Sequence, residues 1–428
     1  MIFCKKAGWG MALLFLCLIF GTGRTQKIEA AVQNVPESLE EESRLETVGT
    51  DQETERAAVR EKKGQQEKEA GDTETDQAAA AQDELLAELD FDAIQQEVDS
   101  LLSSQQFSFA GTVRSLLQDG DPFRTFRAGN AVLSCAKTAF LAQKGLMKEL
   151  FLLVLAGAVL GSFSSLFEGK QVRDASFYMV YLLALALILK NFQSSGENLK
   201  AVITSLVAFM RILTPSYYLA AAAAGGASSA VMFYQMLLLV ILAVEKLLLA
   251  LVLPMIHIYL LIALVNDLSG EEILSHMTEL LETCVNGLLK SSLGVLVGMQ
   301  MIRNLIAPAL DSLRQMALWR TAGMIPGIGN AVNAVTELVA GSAVLIRNCF
   351  GVTAMLVLLA AGMVPAVQLL VSGLSFRLLA AAAQPVSDKR IAGCLAAAGK
   401  GYAMLLRLLL TVEVLFLLTI AILAGTFS

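Results

Sequence analysis

The sequence predicts an all-α, polytopic integral membrane protein, and three observations support this prediction. Only 16% of the 428 residues are charged, whereas soluble proteins carry roughly 25%. Apolar runs of membrane-spanning length recur from Leu150 to the C-terminus. Proline and glycine interrupt these runs, as is typical of broken or re-entrant helices that lie inside a membrane protein. We expect about six to eight spans, some of them broken or re-entrant, at roughly 20 apolar residues each.

Three regions precede the membrane domain. Residues 1–23 are predicted to be a signal peptide or N-terminal signal anchor, because two lysines precede the short apolar run Met11–Phe20. Residues 24–82 are predicted to be disordered and acidic: the stretch Glu37–Asp76 holds 14 acidic and 6 basic residues, and too little apolar surface to fold. Residues 83–149 are predicted to form exported amphipathic helices, since their apolar residues recur at spacings near three and four.

Residues 150–428 form the predicted polytopic transmembrane domain. Its first two apolar runs, Leu150–Phe167 and Ala175–Leu189, flank a short loop that contains Lys170 and Arg173. Lysine and arginine concentrate on the cytoplasmic side of membrane proteins. If the N-terminus is exported, this loop is therefore expected on the cytoplasmic side.

The middle of the domain predicts one long interrupted helix and one interfacial helix. Val231–Val265 is nearly all apolar, and its 35 residues would span about 50 Å as a helix, against a hydrocarbon core of about 30 Å. The sequence predicts a break, either at Glu245 and Lys246 or at Pro254. Glu271–Leu289 is amphipathic and is predicted to lie at the membrane interface.

Two segments combine a proline with glycines and other small residues, around 215–230 and 323–330. Because they lack bulky side chains, we hypothesise that both segments bend inward and line a passage or a gate. The alternative is tight packing between helices, which small residues also permit. The candidate gate or packing residues are Pro215, Gly225, Gly226, Pro326, Gly327 and Gly329.

A polar segment, Gln384–Ile391, follows the apolar run Phe350–Leu374. Its proline, aspartate and serine are typical of a turn that ends one helix and caps the next. The sequence therefore predicts a span followed by a capped restart. The residues of this polar segment that we single out are Gln384, Pro385, Asp388 and Arg390.

The last apolar segment, Tyr402–Leu423, carries one acidic residue, Glu413, among 14 Leu, Ile, Val or Phe residues. These apolar residues favour insertion by more than the cost of about 3 kcal/mol that one central charge imposes. An ionisable group inside a span usually faces the bundle interior or a water path, so Glu413 is the candidate intramembrane charge. The alternative is a neutralised or paired glutamate with a structural role.

No motif predicts an enzyme. The six cysteines are all more than four positions apart, and only two histidines occur, so no metal site is predicted. The sequence lacks GxSxG, a nucleotide-binding P-loop and a dinucleotide fingerprint. We therefore predict no catalytic residues, no cofactor and, in the absence of a basic patch, no nucleic-acid partner.

The order of these motifs resembles the stage III sporulation protein AE family of endospore-forming bacteria, from about residue 83 to the C-terminus. The resemblance rests on Pro215-Ser-Tyr-Tyr218, Ile325-Pro-Gly-Ile-Gly329, Gly341-Ser-Ala343 and the polar segment that begins at Gln384. It implies a multi-pass protein of the mother-cell membrane that faces the engulfed forespore. The family supplies no established catalytic residues.

The resemblance also implies partners. The chain would belong to a secretion-like channel between mother cell and forespore, together with a separate ATPase, ring-forming proteins, small membrane subunits and membrane lipid. Self-association is left open. Two other functions fit the sequence: an autonomous secondary transporter that uses Glu413 for proton coupling, and a scaffold that recruits partners without conducting.

Overall fold

A computed structural model describes residues 90–102, 107–119, 128–164, 170–223, 228–269, 274–322 and 329–425. The predicted signal segment 1–23 and the acidic segment 24–82 lie outside these residues. Gly225, Gly226, Pro326 and Gly327 also lie outside them.

The regular secondary structure of the described residues is entirely helical. The helices are α1 (Phe91–Leu101), α2 (Phe109–Asp119), α3 (Ala128–Ser164), α4 (Lys170–Ala223), α5 (Ser228–Leu247), α6 (Leu253–Ser269), α7 (Ser275–Ala322), α8 (Gly329–Ala383) and α9 (Lys389–Gly425). A π-helical turn, Leu248–Val252, joins α5 to α6.

Five segments of the described helices are long and apolar enough to cross a membrane. This confirms the predicted all-α polytopic class. The predicted span Leu150–Phe167 runs beyond the described end of α3 at Ser164. The five segments are Phe177–Pro215, Leu238–Ser269, Ser275–Met299, Gly341–Ala383 and Lys389–Ala421.

The predicted break in Val231–Val265 is wrong. Helix α5 continues through Glu245 and Lys246, and the π-helical turn passes directly into α6, with the Leu253 N–H donating to the Leu248 carbonyl. A π turn keeps the backbone hydrogen-bonded while widening the helix by one residue. Pro254 follows this wider turn without interrupting the chain of helices.

Pro215 does not end a helix either, since α4 continues from Lys170 to Ala223 and Pro215 lies exposed within it. Prolines are tolerated in membrane helices because neighbouring groups and local adjustments satisfy the freed carbonyl.

Helices α8 and α9 form an antiparallel hairpin with the most extensive helix–helix contact in the described part of the chain. Gly373 lies against Tyr402, where an added Cβ would be 3.3 Å from the tyrosine Cβ, and Gly362 lies against Glu413. The two pairs are eleven residues apart on both helices. The close approach is therefore sustained over several turns.

The turn between α8 and α9 confirms the predicted capped restart. The Asp388 carboxylate accepts a hydrogen bond from the Arg390 N–H at 3.0 Å, and the Asp388 carbonyl accepts one from the Ile391 N–H at 3.0 Å. Aspartate is a favoured cap because its side chain satisfies N–H groups that have no partner within the helix. Gln384 and Pro385 lie exposed in the turn itself.

Helix α6 packs antiparallel to α9. Leu260 lies near Gly401, and Asp267 lies near Gly393, seven residues further along α6 and eight residues back along α9. Helix α6 therefore runs toward the α8–α9 turn.

Helix α4 packs parallel to α9 and runs away from that turn. The Arg390 guanidinium lies 5.5 Å from the centre of the Phe177 ring, and the Asn191 side chain donates a hydrogen bond of 2.6 Å to the Tyr402 hydroxyl. The two contacts occur in the same order along both helices.

Helix α7 also runs away from the turn. Lys400 of α9 forms a salt bridge with Glu282, and Arg407 donates a hydrogen bond of 3.1 Å to Asn286. The start of α4, the end of α6 and the start of α7 therefore lie toward the same end of the bundle as the α8–α9 turn.

The segment Glu271–Leu289, predicted to be interfacial, overlaps Ser275–Met299 of α7, which is long and apolar enough to cross a membrane. Its interfacial position stays a prediction. Glu282 in this segment forms a salt bridge with Lys400 of α9. An opposite charge from a neighbouring helix reduces the cost of placing a carboxylate inside a membrane domain.

Helices α1 and α2 form a hairpin, and the Gln95 side chain of α1 joins the two helices by two hydrogen bonds. The Gln95 amide donates to the Phe107 carbonyl at 2.7 Å and accepts from the Phe109 N–H at 2.8 Å. The rings of Phe91 and Phe109 then contact Phe350 of α8, with ring centres 6.3 and 5.0 Å away. Aromatic pairs at this spacing stabilise by more than their buried area alone.

We predict that Phe350→Ala releases the α1–α2 hairpin from α8. Phe350 is fully buried, and truncating a buried phenylalanine costs about 3–5 kcal/mol. Amide hydrogen exchange of the purified chain should then be faster throughout α1 and α2. The control is Leu345→Ala on the same helix, where the side chain is 50% exposed. Unchanged protection in the Phe350 variant would show that other contacts hold the hairpin.

Candidate intramembrane site

Glu413 is deeply buried inside the membrane domain. Its side chain is 1% exposed, and its Oε2 atom has no hydrogen-bond partner among the described residues. Leu409 and Phe416, one turn away on either side along α9, are also buried. Burying a carboxyl without a hydrogen bond is costly, so the surrounding structure must hold it there.

Gly362 of α8 provides the space that the Glu413 carboxyl occupies. A Cβ atom added to Gly362 would lie only 2.5 Å from each of the two carboxyl oxygens. Leu358 and Ala361, on the same stretch of α8, are buried and apolar. The carboxyl therefore lies against the α8 backbone in apolar surroundings.

Glu413 forms no salt bridge within the described residues. Arg407, six positions earlier, is exposed and binds Asn286 of α7 instead. Helix α8 carries no charged residue between Arg347 and Arg377.

A second buried polar cluster surrounds Tyr402. The Asn191 amide donates to the Tyr402 hydroxyl at 2.6 Å, and the Ser195 hydroxyl lies 3.2 Å from the same oxygen. Phe376 stacks on the tyrosine ring, and Phe192 contacts it edge-on, both with ring centres 5.2 Å away. These contacts bind α4, α8 and α9 together.

Sequence reasoning missed this cluster. In the sequence, Tyr402 only begins the apolar segment Tyr402–Leu423, and Asn191 and Ser195 follow the end of the apolar run Ala175–Leu189. Polar side chains within helices of membrane hydropathy are a usable signal, because each needs a partner in a neighbouring helix. Which residues pair depends on how the helices align, and spacing along one helix does not give that alignment.

Glycines accommodate ionisable side chains at three helix contacts. At Gly196 an added Cβ would lie 2.5 Å from the His257 Nε2 atom, and at Gly393 it would lie 3.1 Å from an Asp267 carboxyl oxygen. The three pairs are Gly196 with His257, Gly362 with Glu413, and Gly393 with Asp267. At each of them a polar group reaches the backbone of the adjacent helix.

The predicted gate residues are not brought together in the described part of the chain. Pro215 lies exposed in α4, and Gly329 is the first residue of α8. The other four lie outside the described residues, so the gate hypothesis stays a prediction. The described residues contain no group of three or more His, Cys, Asp or Glu that could hold a metal ion.

Comparisons with known proteins identify the relatives of this bundle. The stage III sporulation protein AE family matches residues 107–426, which include α2 to α9 and both buried polar groups. The chain belongs to the stage III sporulation protein AE family. Stage III sporulation protein AE of Bacillus subtilis (strain 168) is 22% identical over 291 residues, which cover 67% of this chain and 73% of the relative. No solved structure matches the chain.

Membership in the stage III sporulation protein AE family confirms the resemblance predicted from the motifs. The family match begins at residue 107, so it excludes α1 and everything before it. Glu413, Gly362 and Tyr402 all lie inside the matched region.

We predict that Gly362→Ala destabilises the α8–α9 hairpin. The added methyl group would overlap the Glu413 carboxyl, and overpacking of this kind costs about 1–3 kcal/mol. The thermal midpoint of the purified chain should fall, and the same change should cost little in a Glu413→Ala background. Gly341→Ala is the matched control, since nothing lies within 4 Å of its added Cβ. Equal shifts for both alanine variants would contradict the overlap.

Proposed function

We propose that this chain is a membrane subunit of the channel complex that connects the mother cell to the engulfed forespore, and that it forms part of a gate or conduit. The observation that carries the proposal is the sporulation family match across the whole described membrane domain. The proposed location is the mother-cell membrane that faces the forespore. The proposed partners are the other stage III sporulation proteins, including an ATPase, ring-forming proteins and small membrane subunits.

The uneven burial of the spans supports the role of a subunit. In the most apolar window of Lys389–Ala421, 67% of the residues are buried, against 22% in the window of Ser275–Met299. The window of Phe177–Pro215 in α4 is buried to the same 22%. The contacts of Ser275–Met299 with α9 include the Lys400–Glu282 salt bridge and the Arg407–Asn286 hydrogen bond.

The uncovered surface of α7 includes a stripe of small residues. Gly287, Ser291, Gly294 and Gly298 follow one another at spacings of four, three and four, which places them on one side of the helix. A Cβ added to any of the three glycines would meet no atom within 4 Å. Small residues let a second helix approach closely in a membrane, so this face suits a transmembrane helix of another subunit.

We predict that Gly294→Leu weakens assembly without unfolding the chain. The leucine would occupy open space in the isolated chain and would block close approach of a partner helix. A tagged chain from sporulating cells should then recover several-fold less of the stage III ATPase and ring-forming proteins. Gly145→Leu is the matched control, because Gly145 of α3 is exposed and equally open.

Two outcomes of this experiment count against the proposal. If the unaltered chain recovers none of these stage III proteins, the proposed role as a subunit fails. If Gly294→Leu and Gly145→Leu recover as much as the unaltered chain, the α7 face is covered by lipid rather than by a subunit.

We also predict that cysteines introduced at Gly225 and Gly327 react with water-soluble thiol reagents in the assembled complex. The reason is that both positions belong to the small-residue segments proposed to line the passage. The measurement uses a chain whose native cysteines have been replaced. A cysteine at Leu239, which is 67% exposed on a span, is the control and should stay unlabelled within lipid. Resistance at both glycine positions in every state of the complex would remove the gate from the proposal.

A further inference from the structure

Helix α8 contains a proline one turn beyond the glycine that faces Glu413. Pro365 lies inside the helix, three residues after Gly362. Proline has no N–H, so the carbonyl four residues earlier, that of Ala361, loses its helical hydrogen bond. Ala361 is buried, and a buried carbonyl without a donor is unfavourable.

The carboxyl of Glu413 lies against the same turn of α8. Gly362 follows Ala361 directly, and its missing side chain lets both carboxyl oxygens approach the backbone. The Oε2 atom, fully buried, has no hydrogen-bond partner in the described structure. The carboxyl, with its Oε2 unpartnered, therefore contacts the residue next to the one whose backbone carbonyl has lost its helical donor.

Chemistry distinguishes the two forms that the carboxyl can take in this contact. An ionised carboxylate only accepts hydrogen bonds, so it would oppose a carbonyl that also only accepts. A protonated carboxyl has one O–H donor and can satisfy the carbonyl. We propose that Glu413 binds a proton and donates it in a hydrogen bond to the Ala361 carbonyl, which makes the α8–α9 contact a proton-binding site.

None of the charged side chains that the structure describes near the site provides an alternative partner. On α8 the charged residues nearest to Gly362 are fifteen positions away on either side, which corresponds to about 22 Å along a helix. Asp267 and His257 of α6 lie against Gly393 and Gly196 instead. Other charged residues of the neighbouring segments whose side chains the structure describes are exposed or half-buried, among them Lys200 and Arg211 on α4, Glu245 and Lys246 on α5, Lys290 on α7, and Arg407 on α9.

Proton release at this site would oppose the closed hairpin. Loss of the proton would leave a negative charge against a carbonyl oxygen in apolar surroundings, and buried charges without partners are strongly unfavourable. Opening of the contact to water would relieve this repulsion. The site thus links proton release to separation of α8 and α9 near Gly362.

Infrared spectroscopy of the purified full chain in lipid nanodiscs at neutral pH tests the proposal. The spectrum of the unaltered chain minus that of Glu413→Gln should contain the C=O stretching band of a protonated carboxyl, shifted to lower frequency in heavy water. Glu279→Gln is the matched control on an exposed glutamate of α7, and its difference spectrum should show ionised carboxylate bands. Carboxylate bands for Glu413 as well would overturn the proton-binding site.

Pro365→Ala tests the acceptor and remains informative if the glutamine variant does not fold. Alanine restores the N–H at position 365, which can bind the Ala361 carbonyl again. The protonated carboxyl band should then move to higher frequency, because Glu413 loses its acceptor. An unmoved band would show that Ala361 is not the acceptor, and absence of the band from both the unaltered chain and this variant would show that no proton is bound.

Discussion

The close approach of α8 and α9 is the constraint on which the rest of the described bundle depends. Glycines at 362, 373 and 399 remove the side chains that would separate the two helices, and a Cβ at Gly399 would lie 3.2 Å from the Gly373 carbonyl oxygen. Within lipid, helices gain little from hiding apolar surface, so close backbone contact contributes much of their association. Helices α4 and α6 pack on α9. Tyr402 and Gly401 of α9 contact α4, and Gly401 and Gly393 contact α6.

The same glycines explain how this domain tolerates polar groups that are costly in a membrane. Glu413, His257 and Asp267 each lie against a glycine of an adjacent helix rather than against lipid. Tyr402 is satisfied by two side chains of α4. The same glycines therefore permit both tight helix packing and the burial of polar groups. The missing side chain that allows close approach also leaves room for a polar side chain of the neighbouring helix.

The class of the fold and the helix restart at Asp388 follow from the sequence, because hydropathy and capping are local properties. Glu413 was also recognisable, since a lone carboxyl in an apolar segment stands out. Its partner Gly362 was not, because the pairing depends on the alignment of α8 with α9. Pro254 is not the break that it was one of two candidates for, since rules from soluble helices overstate the effect of proline inside a packed membrane bundle. The Lys400–Glu282 pair was missed for the same reason as Gly362, because one helix does not reveal the charges of its neighbour.

The described helices divide into a tightly packed part and a loosely attached one. Helix α9 is surrounded by α4, α6 and α8, whereas α7 touches it through charged and amide groups and leaves its small-residue face uncovered. A polar contact between helices can exchange one partner for another at low cost when another polar group or water is near. Interdigitated apolar side chains cannot exchange partners in this way. Rearrangement during assembly is therefore easiest at α7, and a change at the α8–α9 contact requires a stronger cause. Release of the proton from a buried carboxyl is a cause of that strength, because it leaves a full charge in the apolar interior.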